Sequence, residues 1–369
     1  MSKNYQYDYV GDFSEGLASV CRDGKWGFID TSGREVVPCR YDDVFDFQEG
    51  MARVETDGKW GYIDKTGREV IPCIYEQAYD FSDGLAKVYL EKRFFIDKNG
   101  KEVLTAGRDW DVFKEGLARI TRDGKTGFVD KAGNEVIPCK YDGASMFCEG
   151  MANVCEEHLL PEGEQSDEID YYTTVGFIDK TGREVVPCKY DFAGDFHEGL
   201  AKVSLDGKSG FIDKSGMEVI PLQYDDVRDF SDGLAQVAVG EDSFFIDKSG
   251  QKVFSFAERG IVGAWDFSEG LAVAVFEPNG KRGYIDKTGK LMIPCHYFEA
   301  HDFHDGRARI SDGHGRMYFI DRTGREILMT RRSRQQSSWR ELGRRLSGFS
   351  TGHSGWSRPA GSRLPMTTV

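Results

Sequence analysis

The feature that most constrains this chain is a short motif that recurs nine times. It reads Phe-x-Glu/Asp-Gly-Leu/Met-Ala, and successive copies lie 32 to 49 residues apart, with 34 the commonest spacing. The ninth copy is weaker, because Arg307 replaces the leucine. The motif glycines are Gly16, Gly50, Gly84, Gly116, Gly150, Gly199, Gly233, Gly270 and Gly306. A unit this short cannot bury its own apolar side, so neighbouring copies must cover one another and recurrent residues indicate architecture rather than chemistry.

Each copy contains three segments with the character of a β-strand. Leu-Ala-x-Val alternates its side chains between two faces, an aromatic-Ile/Val-Asp triplet follows, and Glu-Val-Ile-Pro ends the copy. Asp-Gly-Lys and Asp-Lys-Thr-Gly are typical of the turns between them. The aspartates that close the triplets are predicted to form turns, and they are Asp30, Asp64, Asp97, Asp130, Asp179, Asp213, Asp247, Asp286 and Asp321.

These segments predict an all-β chain with no helix before residue 330. The 44 glycines suit many tight turns, and the 25 Phe and 16 Tyr residues are too many for a disordered chain. Three strands in about 34 residues, repeated nine times, favour an open superhelical array over residues 1–330. A closed β-propeller-like ring is the alternative, because the two ends of the array would together complete one copy.

Two copies contain the sequence Gly-Lys-Trp-Gly-aromatic-Ile-Asp, at Gly24–Asp30 and Gly58–Asp64. With the nine-fold recurrence, this resembles the WG-repeat (KWG repeat) family of bacterial proteins over residues 5 to about 328. The resemblance implies an all-β tandem array that binds a partner, and it supplies no catalytic residue. Elsewhere the tryptophan position varies, and holds Thr126, Val175, Ser209 or Arg282.

A longer period overlies the short one. Copies three and seven both replace the glycine before the triplet by phenylalanine, Phe94 and Phe244, and both lose the Pro-Cys-x-Tyr segment. Each is followed by a Trp-Asp pair that begins at Trp110 or Trp265. We infer that a block of four repeats was duplicated and a ninth added. In a superhelix with about four repeats per turn, the two unusual copies would align on one side.

Charge separates the body from the tail. The net charge is −14, but residues 331–369 hold eight Arg and one Glu, so residues 1–330 carry −21. An acidic body repels phosphate backbones, which excludes nucleic-acid binding through its surface. The tail is predicted to be mostly disordered, with a short basic amphipathic helix over 338–349. Docking of that helix on a membrane surface or on the acidic body is the alternative.

An acidic insertion over 156–174 lengthens copy five. It is predicted to be a projecting loop, which is either a tolerated insertion or a contact for a basic partner.

The sequence predicts neither a metal site nor a cofactor. Five of the eight cysteines, Cys39, Cys73, Cys139, Cys188 and Cys295, follow the proline of their copies, and Leu222 fills that position in copy six. Exchange with leucine indicates buried thiols rather than metal ligands. No set of acid, base and nucleophile recurs at a catalytic spacing, so we expect no enzyme activity.

The prediction for function is a binding or scaffold protein that presents its repeats to a protein partner. No apolar stretch is long enough to span a membrane or act as a signal region, which predicts a soluble cytoplasmic protein, and no pattern indicates an oligomeric state. The candidate contact residues are Trp26, Trp60, Trp110, Trp265, Thr126, Val175, Ser209 and Arg282. Glycan binding through the four tryptophans, or a role as the regulatory arm of an enzyme system, are the alternatives.

Overall fold

A computed structural model describes residues 7–107, 109–160, 171–276, 280–314 and 317–329, without the side chains of residues 328 and 329. The chain divides into two units, Met1–Arg332 and Ser333–Val369. The described residues all belong to the first unit and form nine four-stranded antiparallel sheets. The predicted helix over 338–349 lies outside them.

Every sheet consists of four strands that are consecutive in the sequence, and we call the sheets blades one to nine. Blades one to three contain β1 (Tyr9–Ser14), β2 (Leu17–Arg22), β3 (Lys25–Asp30), β4 (Glu35–Tyr41), β5 (Asp43–Val44), β6 (Met51–Thr56), β7 (Lys59–Asp64), β8 (Glu69–Tyr75), β9 (Gln77–Ala78), β10 (Leu85–Tyr89), β11 (Arg93–Asp97) and β12 (Glu102–Thr105). Blades four to six contain β13 (Trp110–Lys114), β14 (Leu117–Arg122), β15 (Lys125–Asp130), β16 (Glu135–Tyr141), β17 (Gly143–Ala144), β18 (Met151–Leu159), β19 (Tyr171–Asp179), β20 (Glu184–Tyr190), β21 (Phe192–His197), β22 (Leu200–Leu205), β23 (Lys208–Asp213) and β24 (Glu218–Tyr224). Blades seven to nine contain β25 (Asp226–Val227), β26 (Leu234–Val239), β27 (Asp242–Asp247), β28 (Lys252–Ser255), β29 (Gly263–Ala264), β30 (Leu271–Val275), β31 (Arg282–Asp286), β32 (Leu291–Tyr297), β33 (Glu299–Ala300), β34 (Arg307–Ser311), β35 (Met317–Asp321) and β36 (Glu326–Met329).

The prediction of three strands per repeat was wrong, because each blade has a fourth strand in front of the motif glycine. In blade two this strand is only Asp43–Val44, followed by an isolated bridge between Gln48 and Met51. In blade one the ladder is longer, but its register shifts between Val10 and Phe13. The irregular pairing interrupts the two-residue alternation by which strands are recognised.

The nine blades close into a ring, so the expected open array is wrong and the alternative, a nine-bladed β-propeller, is the fold. Between neighbouring blades, an aromatic ring of the third strand packs against the motif phenylalanine, which lies in or just after the next blade's first strand. The ring of Phe28 lies 4.8 Å from that of Phe47, and the ring of Phe319 in blade nine lies 4.7 Å from that of Phe13 in blade one. The remaining seven pairs are Tyr62–Phe81, Phe95–Phe113, Phe128–Phe147, Phe177–Phe196, Phe211–Phe230, Phe245–Phe267 and Tyr284–Phe303.

The core is therefore distributed among nine interfaces between blades. At the first of them, Trp26, Phe28 and Val37 of blade one pack with Val44 and Phe47 of blade two. Closure uses the same kind of interface and no exchange of strands, because β1–β4 and β33–β36 each form a complete sheet. The two ends of the array do not share a repeat, so the reason given for the closed alternative was wrong although the ring is closed.

Closure also changes the prediction for the two unusual copies. Blades three and seven lie four blades apart around the ring instead of aligning along a superhelix. Blade seven is followed by one turn of helix, α1 (Phe256–Arg259), where we expected none. Its capping box joins the Ser255 hydroxyl to the Glu258 N–H and the Glu258 carboxylate to the Ser255 N–H.

The strand order gives the ring two different faces. The Glu/Asp-Gly turns and the Asp-x-x-Gly turns lie on one side, which we call the clamp face. The turns between second and third strands, with the starts of the first strands, lie on the other side, which we call the hairpin face. The first strands line the centre, where the pKa of Asp46 responds to Asp12 and Asp80 from the blades on either side.

Candidate functional site

The nine aspartates predicted to form turns lie at the ends of the third strands on the clamp face. The carboxylate of Asp64 accepts hydrogen bonds from the N–H groups of Thr66 at 3.0 Å and Arg68 at 3.2 Å. In blade one the Ser32 hydroxyl and neighbouring donors hold the pKa of Asp30 at about 2. The equivalent carboxylates each accept from the N–H groups two and four residues later, and they are Asp97, Asp130, Asp179, Asp213, Asp247, Asp286 and Asp321.

The acidic residue of the motif has a structural role that the sequence analysis missed. The Glu15 carboxylate accepts a hydrogen bond at 2.9 Å from the N–H of Gly50 in the next blade. The same bond recurs around the whole ring until Asp305 accepts at 2.7 Å from the N–H of Gly16. The other acceptors are Glu49, Asp83, Glu115, Glu149, Glu198, Asp232 and Glu269. This circle explains why every copy requires Glu or Asp before glycine.

Lysines of the Asp-Lys-Thr-Gly turns reinforce the circle. The Lys65 ammonium lies 3.0 Å from the Glu15 carboxylate and donates to the Glu15 carbonyl at 2.9 Å. Blade one has Thr31 in place of this lysine, and there Arg307 of blade nine donates to the Thr31 carbonyl at 3.2 Å. Where the ring closes, Arg307, which replaces the motif leucine of the ninth copy, therefore compensates for the lysine that blade one lacks.

The glycine after the variable tryptophan position allows the fourth strand to pass close by. A Cβ atom on Gly61 would lie 2.5 Å from the carbonyl oxygen of Ile71. Blade three has Phe94 at this position, and its fourth strand, β12, lacks the Pro-Cys-x-Tyr segment that makes the close approach. The loss of glycine and the loss of that segment are thus one structural change.

The residues at the tryptophan position lie between blades rather than on an open row. Trp26 is 8% exposed and its ring packs 5.4 Å from that of Tyr9, while Thr126 is 6% exposed. The half-buried members are Trp60, Val175, Ser209 and Arg282. Burial leaves Trp26 and Thr126 no accessible face for a partner.

The two tryptophans of the Trp-Asp pairs lie on or beside first strands. Trp110 is half-buried in β13, and Trp265, which follows β29, is 37% exposed. The guanidinium of Arg282 lies 5.1 Å from the centre of the Trp265 ring, so the structure brings these two candidates together. Trp26, Trp60, Trp110 and Trp265 belong to four different blades.

Carboxylates line the centre of the ring, four residues before the motif glycine in seven blades. Cations from the second strand of the preceding blade neutralise several: Arg309 pairs with Asp12 at 2.9 Å and Arg53 with Asp80 at 2.8 Å. The members of this row are Asp12, Asp46, Asp80, Asp195, Asp229, Asp266 and Asp302.

Four members of the row lack such a cation. Neutral residues occupy the cation position next to Asp46, Asp195, Asp266 and Asp302, and they are Ser19, Asn153, Gln236 and Val273. The Asp46 side chain is exposed in the centre of the ring, but desolvation by the surrounding protein, together with Asp12 and Asp80, raises its pKa to about 6. Burial, together with Asp266 and Asp12, also raises the pKa of Asp302. The row is visible in the sequence as an aspartate directly before the motif phenylalanine in seven copies, a recurrence that the motif as we defined it leaves out.

The described residues contain no group of three or more His, Cys, Asp or Glu side chains placed to hold a metal ion. The eight cysteines are free thiols. In the recurrent row, the Cys73 sulfur lies 3.6 Å from the carbonyl oxygen of Val54. Burial raises the pKa of Cys39 to about 11, so at neutral pH this thiol is protonated and a poor nucleophile.

Exposed apolar side chains are unevenly distributed over the described surface. Of eighteen large ones, eight lie on the hairpin face, seven on fourth strands, two on or beside first strands, and one, Met217, on the clamp face. The hairpin-face members are Leu90, Leu159, Tyr171, Tyr172, Phe192, Val239, Val262 and Phe298. The described region has six exposed aromatic side chains. Four lie on the hairpin face and two, Tyr79 and Trp265, lie beside first strands, so none lies on the clamp face or a fourth strand.

The insertion of copy five lies on the hairpin face as an extension of β18 and β19. The two strands remain paired as far as Leu159 and Tyr171, which are 78% and 52% exposed. The His158 ring stacks on that of Tyr172 at 5.0 Å. The part predicted as an acidic loop between residues 161 and 170 lies outside the described residues.

Within the described ranges, no helix has the length and apolar character needed to cross a membrane. A comparison with curated protein sequences finds no match.

Two solved structures illustrate what the ring is similar to. The structure titled "Crystal structure of the eukaryotic initiation factor" covers 84% of this chain and 94% of its own, with 10% identity and a TM-score of 0.58. BamB from Moraxella catarrhalis covers 88% of this chain and 97% of its own, with 12% identity and a TM-score of 0.37, too low to support an argument. At such identities, the first likeness concerns the fold alone.

The family comparison is specific. The family described as "WG containing repeat" matches residues 4–26, 26–60, 60–93, 127–157, 176–208, 210–241 and 283–313, which is more than half of the chain. Seven matches in tandem agree with the repeats seen in the sequence and with the blades of the ring. The chain belongs to the WG-repeat family.

Proposed function

We propose that the ring is a non-catalytic scaffold that binds protein partners through its hairpin face. The observation that carries the proposal is the position of the six exposed aromatic side chains of the described region, of which four lie on the hairpin face and two beside first strands. Aromatic residues supply much of the binding energy at protein interfaces, because they bury a large area at a small cost in side-chain entropy.

The chemistry of the two faces supports this choice. On the clamp face, motif acids bind backbone N–H groups and turn lysines of other blades, as Glu49 does with Gly84 and Lys98. These groups are already committed to holding the ring together. On the hairpin face, Phe298 is 55% and Val262 is 62% exposed, which leaves apolar surface that a partner can cover.

The glycan alternative has less support. Stacking on a sugar needs an open aromatic face, and among the four tryptophans only Trp265 is counted among the exposed residues, while Trp26 is buried. A role as a regulatory arm is compatible with the same face, because it also requires contact with a protein.

A crosslinking experiment tests the proposal. A photoreactive phenylalanine analogue is placed at Phe192 or Phe298 on the hairpin face, and at Val253 or Met217 as matched exposed controls elsewhere. In the native host, we expect defined protein crosslinks from Phe192 and Phe298 and none from the controls. Equal crosslinking from all four positions, or crosslinks from Met217 alone, would contradict the proposal.

A further inference from the structure

The extended hairpin of blade five, which we call the arm, consists of residues 156–159 and 171–174. In blade two, the second strand turns at Asp57-Gly58 directly after Thr56. In blade five, Glu156 opposite Thr174 corresponds to the last pair of blade two, and three further pairs follow, from Glu157 opposite Thr173 to Leu159 opposite Tyr171. The arm therefore projects from the hairpin face.

The arm has an open strand edge. The neighbouring strands stop at its base, where Gly143 pairs with Cys155 and Tyr190 pairs with Val175. Asp142 caps the β18 side by accepting from the Glu157 N–H at 3.0 Å. On the β19 side, residues 171–174 have no second strand beside them in the described part of the chain. An edge of this kind is a template for an added strand.

The arm also combines apolar surface with negative charge. Leu159 and Tyr171 lie opposite each other and are the most exposed apolar pair on the hairpin face. Glu156 and Glu157 are exposed beside them.

We propose that the arm docks a basic, extended segment of a partner protein, which adds as a strand along the β19 edge. The segment's Lys or Arg side chains complement Glu156 and Glu157, and its apolar side chains cover Leu159 and Tyr171. This inference rests on the proposed function and names the chemistry of the partner. Strand addition supplies affinity through the backbone, while the charges and the apolar pair select the sequence.

The test uses the full chain and a fluorescent peptide of alternating lysine and valine, with a glutamate–valine peptide as the reference. In one variant, residues 157–173 are replaced by Asp-Gly, which reproduces the turn of blade two and leaves the rest of the ring unchanged. In a second variant, Leu159→Ser and Tyr171→Ser retain every charge of the arm. Val103→Ser with Val253→Ser is the matched control on fourth strands.

We expect the lysine–valine peptide to bind the full chain and the control alike, and to bind both arm variants at least about tenfold more weakly. Unfolding transitions equal to that of the full chain verify that each variant is folded. Equal binding by the variant without the arm would show attraction to the acidic body alone and would overturn the inference. If crosslinking at Phe192 and Phe298 persists in that case, the arm inference fails and the proposed function stands.

Discussion

Substitution of Gly61 by alanine tests how the family's most recognisable motif shapes a blade. The added Cβ would lie 2.5 Å from the Ile71 carbonyl oxygen, 2.6 Å from the Cys73 nitrogen and 2.7 Å from the Pro72 carbonyl carbon. These are backbone atoms of β8, so the strain cannot be relieved by rotating a side chain. The fourth strand must move away from the third, which breaks ladder hydrogen bonds at the outer edge of blade two.

We expect Gly61→Ala to lower the free energy of unfolding by about 3 kcal/mol, the upper part of the usual range for overpacking. For a ring of this size, that loss lowers the melting temperature by about 4 °C. Urea unfolding followed by far-ultraviolet circular dichroism measures the loss. Gly263→Ala is the matched control, because a Cβ at Gly263 meets no atom within 4 Å. Equal stability of the two variants would refute the reasoning.

Two further substitutions test the centre and the closure of the ring. In the folded ring the pKa of Asp46 is raised to about 6, so the folded state binds this proton more tightly than the unfolded chain does. This contribution to the free energy of unfolding is lost as the pH rises from about 4 to about 6. Asp46→Asn should therefore be more stable than the parent at pH 7 by about 1 kcal/mol, a value reduced for solvent screening, and equal to it at pH 4; urea unfolding at both values checks this. Arg307→Leu restores the motif but removes the bond to the Thr31 carbonyl, and should cost about 1 kcal/mol. Adding Thr31→Lys should recover that loss in the same urea assay, because Lys65 makes the equivalent contact with Glu15 of blade one. A double variant that is no more stable than Arg307→Leu would count against the compensation.

The repeats could be predicted from the sequence because their strands alternate regularly and their turns contain Asp, Gly and Lys. The first strand of each blade could not be predicted. Most of these strands have only two paired residues and the longer one of blade one has a register shift, so no alternation of side chains can be detected. Ring closure could not be predicted either, because it depends on the angle at which each aromatic pair sets one blade against the next. One signal was available: Arg307 and Thr31 depart from the pattern in the copies that meet at the closure.

The varying residues at the tryptophan position were predicted to be partner contacts, and their packing offers a second origin for the variation. In three blades this side chain packs beside a residue on or just after its own first strand. Trp26 packs with Tyr9, Trp60 with Phe45, and Arg282 with Trp265. Variation at a fixed position of a repeat can therefore reflect matched packing as well as recognition. The predicted contact roles of the half-buried members stay predictions.

The central claim is that blade nine packs against blade one, and the ion pair between Arg309 and Asp12 tests it most directly. These residues are 297 positions apart in the sequence, and the guanidinium donates two hydrogen bonds to the carboxylate at 2.9 and 3.0 Å. A double-mutant cycle with Asp12→Asn and Arg309→Gln, measured by urea unfolding, gives the coupling between them. A closed ring predicts a coupling of about 1 to 3 kcal/mol. Additive effects of the two substitutions would mean that the ends of the array do not meet.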